Sequence, residues 1–155
     1  MDDTRVLGHP PLTTELLHFE DFTPGREFDL GARSVSEHEI IEFGRAWDPL
    51  DLHVDPVAAL DGPYGGLIAS GRHSCVIFQR LLHDSVLARA APHEMVGADE
   101  VRWLVPVRPG DTLTGRVRVV ETVADGDGGV VVLDGELVNQ NGEVSTVLRV
   151  TERIG

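Results

Sequence analysis

The chain has 155 residues and a mass of 16.8 kDa, the size of one compact domain. Its residues are 41% hydrophobic and 25% charged, a balance that supports a packed core and excludes wholesale disorder. Thirteen basic against 26 acidic residues, a net charge of −13, exclude broad nucleic-acid binding, which depends on neutralising phosphates, while leaving room for a small anionic ligand at a local basic group or helix N-terminus.

The first residues, Met1-Asp2-Asp3-Thr4-Arg5, are acidic and lead into no apolar segment, so no secretory signal is expected. No apolar run approaches the roughly 20 residues needed to span a bilayer, and no membrane partner is expected. Residues 1–18, broken by Pro10-Pro11, read as a loosely held arm, and residues 19–155 as one domain. After the turn at Thr23-Pro24-Gly25, Phe28, Leu30 and Val35 predict a short strand or two interrupted at Gly31.

A helix is predicted from Ser36. Ser36 and Glu39 have capping-box spacing, and Ile40, Phe43, Gly44 and Trp47 recur at three- and four-residue intervals, giving one apolar face. Pro49 disfavours the α conformation at Asp48, so the helix should stop at about Trp47. Asp55 can cap a second helix beginning with Pro56. Residues 48–55 are thus expected to form a short extended loop pinned at both ends. Beyond the flexible turn Asp61–Gly66, a run from about Leu67 to Leu82 carries apolar residues on several sides and small residues that permit close packing. It predicts a central, largely buried helix. Cys75 within it is read as a small buried hydrophobe. As the only cysteine it excludes an intrachain disulfide and fits a reducing, cytoplasmic location.

Past Pro92 the period changes to alternation. Val101 and Trp103 flank Arg102, and Leu113, Gly115, Val117 and Val119 alternate with Thr114, Arg116 and Arg118. Asp125–Gly129 and Asn141-Gly142 are hairpin signals, with strands at Val130–Val138 and Val144–Val150. Antiparallel strands following one buried helix make an α+β domain. No dinucleotide or phosphate-loop fingerprint is present. The seven histidines form no metal-ligand motif, so no metal is expected.

Four stretches, FEDFTPGREFDLG, FGRAWDPLDLHVDPVAA, GPYGGLIASGRHS and VRWLVPVRPGDTL, resemble in order those of the MaoC-like dehydratases, the family that includes (R)-specific enoyl-CoA hydratases. The resemblance implies the hot-dog fold, a curved antiparallel sheet wrapped around one long helix. It also implies a homodimer or larger homo-oligomer. The family's motif sets an aspartate five residues before a histidine, a frame that falls on Asp48 and His53. Leu50 stands where asparagine is usual and Asp51 where proline is usual, which removes one polar partner of the pair. The resemblance places Gly66 before the central helix, with its N–H on the thioester carbonyl.

This implies reversible hydration of a trans-2-enoyl thioester to an (R)-3-hydroxyacyl thioester. That reaction needs one group to take a proton from water and another to deliver one to the α carbon, work suited to a carboxylate and an imidazole. Charge on the thioester oxygen needs backbone N–H groups and a helix dipole. No cofactor is required; CoA or an acyl-carrier pantetheine belongs to the substrate. Ser74 is a candidate pocket residue, and Arg72, Arg102 and Arg108 are candidates for the carrier phosphates. The alternatives are a thioesterase on the same fold and a catalytically silent thioester-binding subunit.

Overall fold

In the computed structural model, which describes residues 15–155, five strands form one antiparallel sheet. They are β1 (Glu27–Ser34), β2 (His93–Trp103), β3 (Thr112–Asp125), β4 (Gly128–Val138) and β5 (Val144–Ile154), in the order β1-β3-β4-β5-β2. One long helix lies across it, Gly71–Ser85. Three shorter helices precede it: α1 (Glu37–Trp47), α2 (Asp51–Val54) and α3 (Pro56–Leu60); the long helix is α4. This is the α+β hot-dog arrangement that the sequence implied.

The alternation in β3 and β4 places Leu113, Val117, Val119, Val131, Leu133 and Leu137 in the core, all fully buried. From the helix, Ile77, Phe78, Leu81 and Leu82 meet them. Gly135 in β4 lets Phe78 approach the strand, since a Cβ there would run into the ring. The opposite face of the sheet is charged. Glu27, Arg118, Asp134, Arg149 and Asp99 lie in register across all five strands, a row of alternating sign that suits a wet surface.

Local signals held where their cause is local. The capping box closes at Ser36, with Glu39 N to Ser36 Oγ 3.1 Å and Ser36 N to Glu39 Oε2 3.0 Å. The Asp55 carboxylate accepts from Val57 N and Ala58 N at 3.0 Å. Both expected hairpins form, at Asp125–Gly128 and across Asn141-Gly142, and β1 bulges at Gly31.

Four expectations are corrected. The stretch 48–55 is not fully extended, because Asp51–Val54 makes a helical turn. The long helix starts at Gly71 rather than about Leu67: Ile68 N donates to Leu52 O and Ala69 N to Val107 O, and these non-local partners hold residues 67–70 out of the helix. Trp47, placed by periodicity on the apolar face of α1, is 74% exposed. Cys75 is half-buried rather than sealed; burial pushes its thiol up. Of the arm expected over 1–18, residues 1–14 lie outside the described part, and Leu17 beyond them is buried, pairing with Arg89 and Ala91 backbone. Among the described residues no helix is long and apolar enough to cross a membrane.

Candidate active site

Asp48 terminates α1, where Pro49 prevents another helical turn, and its own N–H still closes on Gly44 O at 2.8 Å. The chain then rises into the α2 turn and presents His53. The Nε2 of His53 stands 3.5 Å from Asp48 Oδ2. His53 is buried, while the Asp48 side chain keeps 21% of its exposure. The two residues that the sequence motif pairs are therefore paired in space.

The other ring nitrogen fixes the tautomer of the neutral imidazole. His53 Nδ1 is 2.8 Å from Ile68 O, and a carbonyl only accepts, so Nδ1 carries the proton in the neutral ring. Nε2 is then a lone-pair acceptor facing a carboxylate oxygen, itself an acceptor. Two acceptors cannot bond to each other directly. They are matched to a third body with two O–H donors, which is what a water molecule offers.

His53 lines a cleft of about 320 Å³, at the small end of the range for ligand sites. Its walls include Tyr64, Ile68, Gly71, Arg72, Ser74, Trp103, Leu104 and Thr146. The α4 N-terminus opens into it at Gly71. Trp103 on β2 lies over that end: its Nε1 donates to Gly71 O at 2.8 Å, and a Cβ at Gly71 would collide with the indole. The cleft thus joins an apolar wall, an imidazole acceptor and the positive end of a helix dipole.

The candidates named from sequence divide. His53, Ser74 and Arg72 line the cleft, Ser74 buried in its wall and Arg72 exposed at it, and Asp48 stands behind His53, outside the lining. Gly66 does not start the helix and does not line this cleft; it lies near Arg108, whose Nη2 donates to Tyr64 O at 2.9 Å. Arg102 lines a concavity on the charged face of the sheet with Arg116, Arg118 and Arg149, remote from α4. Among the described residues no group of three His, Cys, Asp or Glu side chains is placed to hold a metal ion.

Two residues were not singled out from sequence. Ser70, the residue before α4, donates its Oγ–H to Asp48 Oδ2 at 2.7 Å. His73 is buried and stacks on Phe43 of α1 with ring centroids 4.6 Å apart; burial lowers its pKa, opposed by Glu39 and aided by Arg33. Ser70 sits in the quoted stretch GPYGGLIASGRHS, but only the folded chain brings it across 22 residues to Asp48.

Comparison with known proteins bears on the family and the fold. The chain is 32% identical to the MaoC-like dehydratase from Rhodospirillum rubrum, with a TM-score of 0.82 over 89% of this chain and 96% of that one. It is 29% identical over 111 residues to the uncharacterized protein YdeM of Bacillus subtilis (strain 168), 68% of this chain and 74% of YdeM. The R-hydratase PhaJ1 from Pseudomonas aeruginosa shares the fold, with a TM-score of 0.75 at 18% identity over 88% of this chain and 84% of that one. The family model described as a MaoC like domain matches residues 20–141, and the chain belongs to that family.

Proposed function

We propose that the protein adds water reversibly to a trans-2-enoyl thioester, giving the (R)-3-hydroxyacyl thioester. The observation that carries this reading is the pairing of two acceptors, Asp48 Oδ2 and His53 Nε2, 3.5 Å apart beside the cleft. A water donating one O–H to each is oriented with its oxygen lone pair free. His53 Nε2 takes the proton as that oxygen attacks the β carbon. The electron pair of the double bond moves through the α carbon onto the thioester oxygen. The N–H groups of Gly71 and Arg72, which open α4 ahead of those that bond to Ser70 O, would receive that charge. The α carbon then recovers one proton from the acid–base pair, so one water is consumed and the protein returns to its starting state.

The family name and the likeness to a MaoC-like dehydratase support hydration or dehydration as the reaction class. The substrate class is our inference. CoA or an acyl-carrier pantetheine enters with the substrate, and the scheme draws on no cofactor. The active unit is proposed to be a homodimer. β2 is an outer strand of the sheet, and Met95, Val96 and Trp103 along it, Leu104 just beyond its end and Val76 of α4 are exposed apolar side chains. Antiparallel pairing with a second β2 would satisfy the edge and cover that surface.

Incubation with a short trans-2-enoyl-CoA tests the reading. Loss of the conjugated absorbance without thiol release is the expected result. Thiol release identifies a thioesterase, and binding with neither change identifies a silent thioester-binding subunit; either outcome overturns the proposal.

A further inference from the structure

The residue preceding an α-helix is a favoured place for serine, because the hydroxyl oxygen accepts a hydrogen bond from an N–H two or three residues on. Ser70 occupies that place before α4, yet its side chain makes no such bond. The N–H groups of His73 and Ser74 turn instead to the Ser70 carbonyl oxygen, at 3.0 and 3.3 Å. The hydroxyl proton goes across the site to Asp48 Oδ2 at 2.7 Å, the same oxygen that faces His53 Nε2 at 3.5 Å. Ser70 is 1% exposed, so the donor end of this part-buried bond is shielded from competing water. The motif itself supplies no substitute: Leu50 has no polar side chain and is 54% exposed, and Asp51 brings a second negative charge.

We infer that Ser70 is the positioning residue of the Asp48–His53 pair. One hydroxyl donor fixes which Asp48 oxygen faces the imidazole and at what distance. It also takes up one lone pair of Oδ2, leaving the rest of the carboxylate to receive the O–H of the water. A serine kept only as a helix cap would hold the N–H groups of α4; Ser70 makes a bond that stabilises the site instead. The inference rests on the proposed hydration chemistry for its effect on rate, and on geometry alone for the Ser70–Asp48 coupling.

The test is a double-mutant cycle of Ser70→Ala and Asp48→Asn, read both in turnover and in urea stability, with Ser70→Thr as the conservative rescue. A hydrogen bond to a charged group is worth on the order of 10- to 100-fold in rate. Ser70→Ala should therefore lower kcat by about that factor with KM nearly unchanged. Ser70→Thr, which keeps the hydroxyl, should recover kcat to within a few-fold. In the Asp48→Asn background Ser70→Ala should cost little more, because its partner is already altered. The stability arm of the cycle is independent of any activity: a nonzero coupling between the two substitutions is expected even if the enoyl-CoA assay fails, in which case the functional proposal falls and the positioning contact stands. Wild-type kcat in Ser70→Ala, an undiminished effect of Ser70→Ala in the Asp48→Asn background, or zero coupling in stability would each overturn the inference. Should Ser70→Ala prove too unstable to assay, Ser70→Cys keeps the size, weakens the donor, and carries the same expectations.

Discussion

α4 has a carboxylate–imidazole pair near each end, and the two pairs are built to opposite rules. Near its N-terminus Asp48 Oδ2 lies 3.5 Å from His53 Nε2, with a hydroxyl donor from Ser70, a carbonyl fixing the imidazole, and a cleft alongside. Near its C-terminus Glu152 Oε2 lies 3.8 Å from His93 Nδ1, and the ring of His93 is 6.2 Å from that of His83. Glu152 is fully buried between the register partners Met95 of β2 and Val131 of β4. Neither of its carboxyl oxygens has a hydrogen-bond partner. Burial pushes its pKa from 4.5 up to about 7. The first pair is supplied with donors and open to a substrate; the second is sealed and undersupplied. Proximity of an acid to an imidazole is common to both pairs; the donors around the first pair and the space beside it set it apart.

The largest expected effect falls on the first pair. Asp48→Asn and His53→Ala should each lower turnover by roughly two to four orders of magnitude, and the double variant should be barely worse than either single one. Near-wild-type rates in both folded single variants would break the assignment. Glu152→Gln and His93→Ala should leave kcat within a few-fold of wild type, which is what separates the two pairs.

The second pair should show itself in stability. Glu152 binds its proton more tightly folded than unfolded, so the folded state holds more protons between pH 4.5 and about 7, and this group's contribution falls as pH rises through that window. The penalty is absent below it and complete above it. The shift corresponds to about 3 kcal/mol. Glu152→Gln should therefore gain on wild type by up to that amount between pH 5 and pH 8, measured as urea midpoints at each pH. Parallel pH profiles for the two proteins would show that the buried carboxyl carries no such cost.

Charge gives a smaller effect at the open end of α4. The protein carries −13 overall, which repels a CoA ester at range, while Arg72 and the helix end act within the screening length of roughly 10 Å at 0.1 M salt. Arg72→Ala should raise KM for a CoA ester several-fold at low salt and less at high salt, with little change for an uncharged pantetheine thioester. Arg102→Ala, on the other face of the sheet, should alter neither; equal effects of the two substitutions would sink the distinction.

The smallest effect concerns β2, which carries His93 of the second pair and lines the cleft beside the first. β2 carries His93 at its start and Trp103 at its end, with register shifts between Met95 and Gly97 and between Asp99 and Arg102. Glu100 in the second shift has φ +52°, a conformation that favours glycine. Glu100→Gly should be neutral to stabilising, by about 1 kcal/mol at most. A clear loss in thermal or urea unfolding would mean that the side chain, not the backbone, matters there.

What the sequence by itself determined are the features whose cause lies within a few residues. The Ser36–Glu39 box, the Asp55 cap, the stop at Asp48-Pro49, both hairpin turns and the alternation of β3 and β4 are short-range effects of backbone and side-chain chemistry. Asp48 and His53 belong with them, since five residues of chain and two prolines keep them close. Their motif was legible for that reason. What only the tertiary structure decided depends on partners far along the chain. Residues 67–70 stay out of the helix because Leu52 and Val107 take their N–H groups. Trp47 faces water and Trp103 covers Gly71 because of what packs beside them. Ser70 turns from capping a helix to holding Asp48 because the fold sets that carboxylate within 2.7 Å. Glu152, on a strand whose alternation forces it inward, is buried without a donor. Periodicity assigns a residue to a face; only packing determines what that face meets.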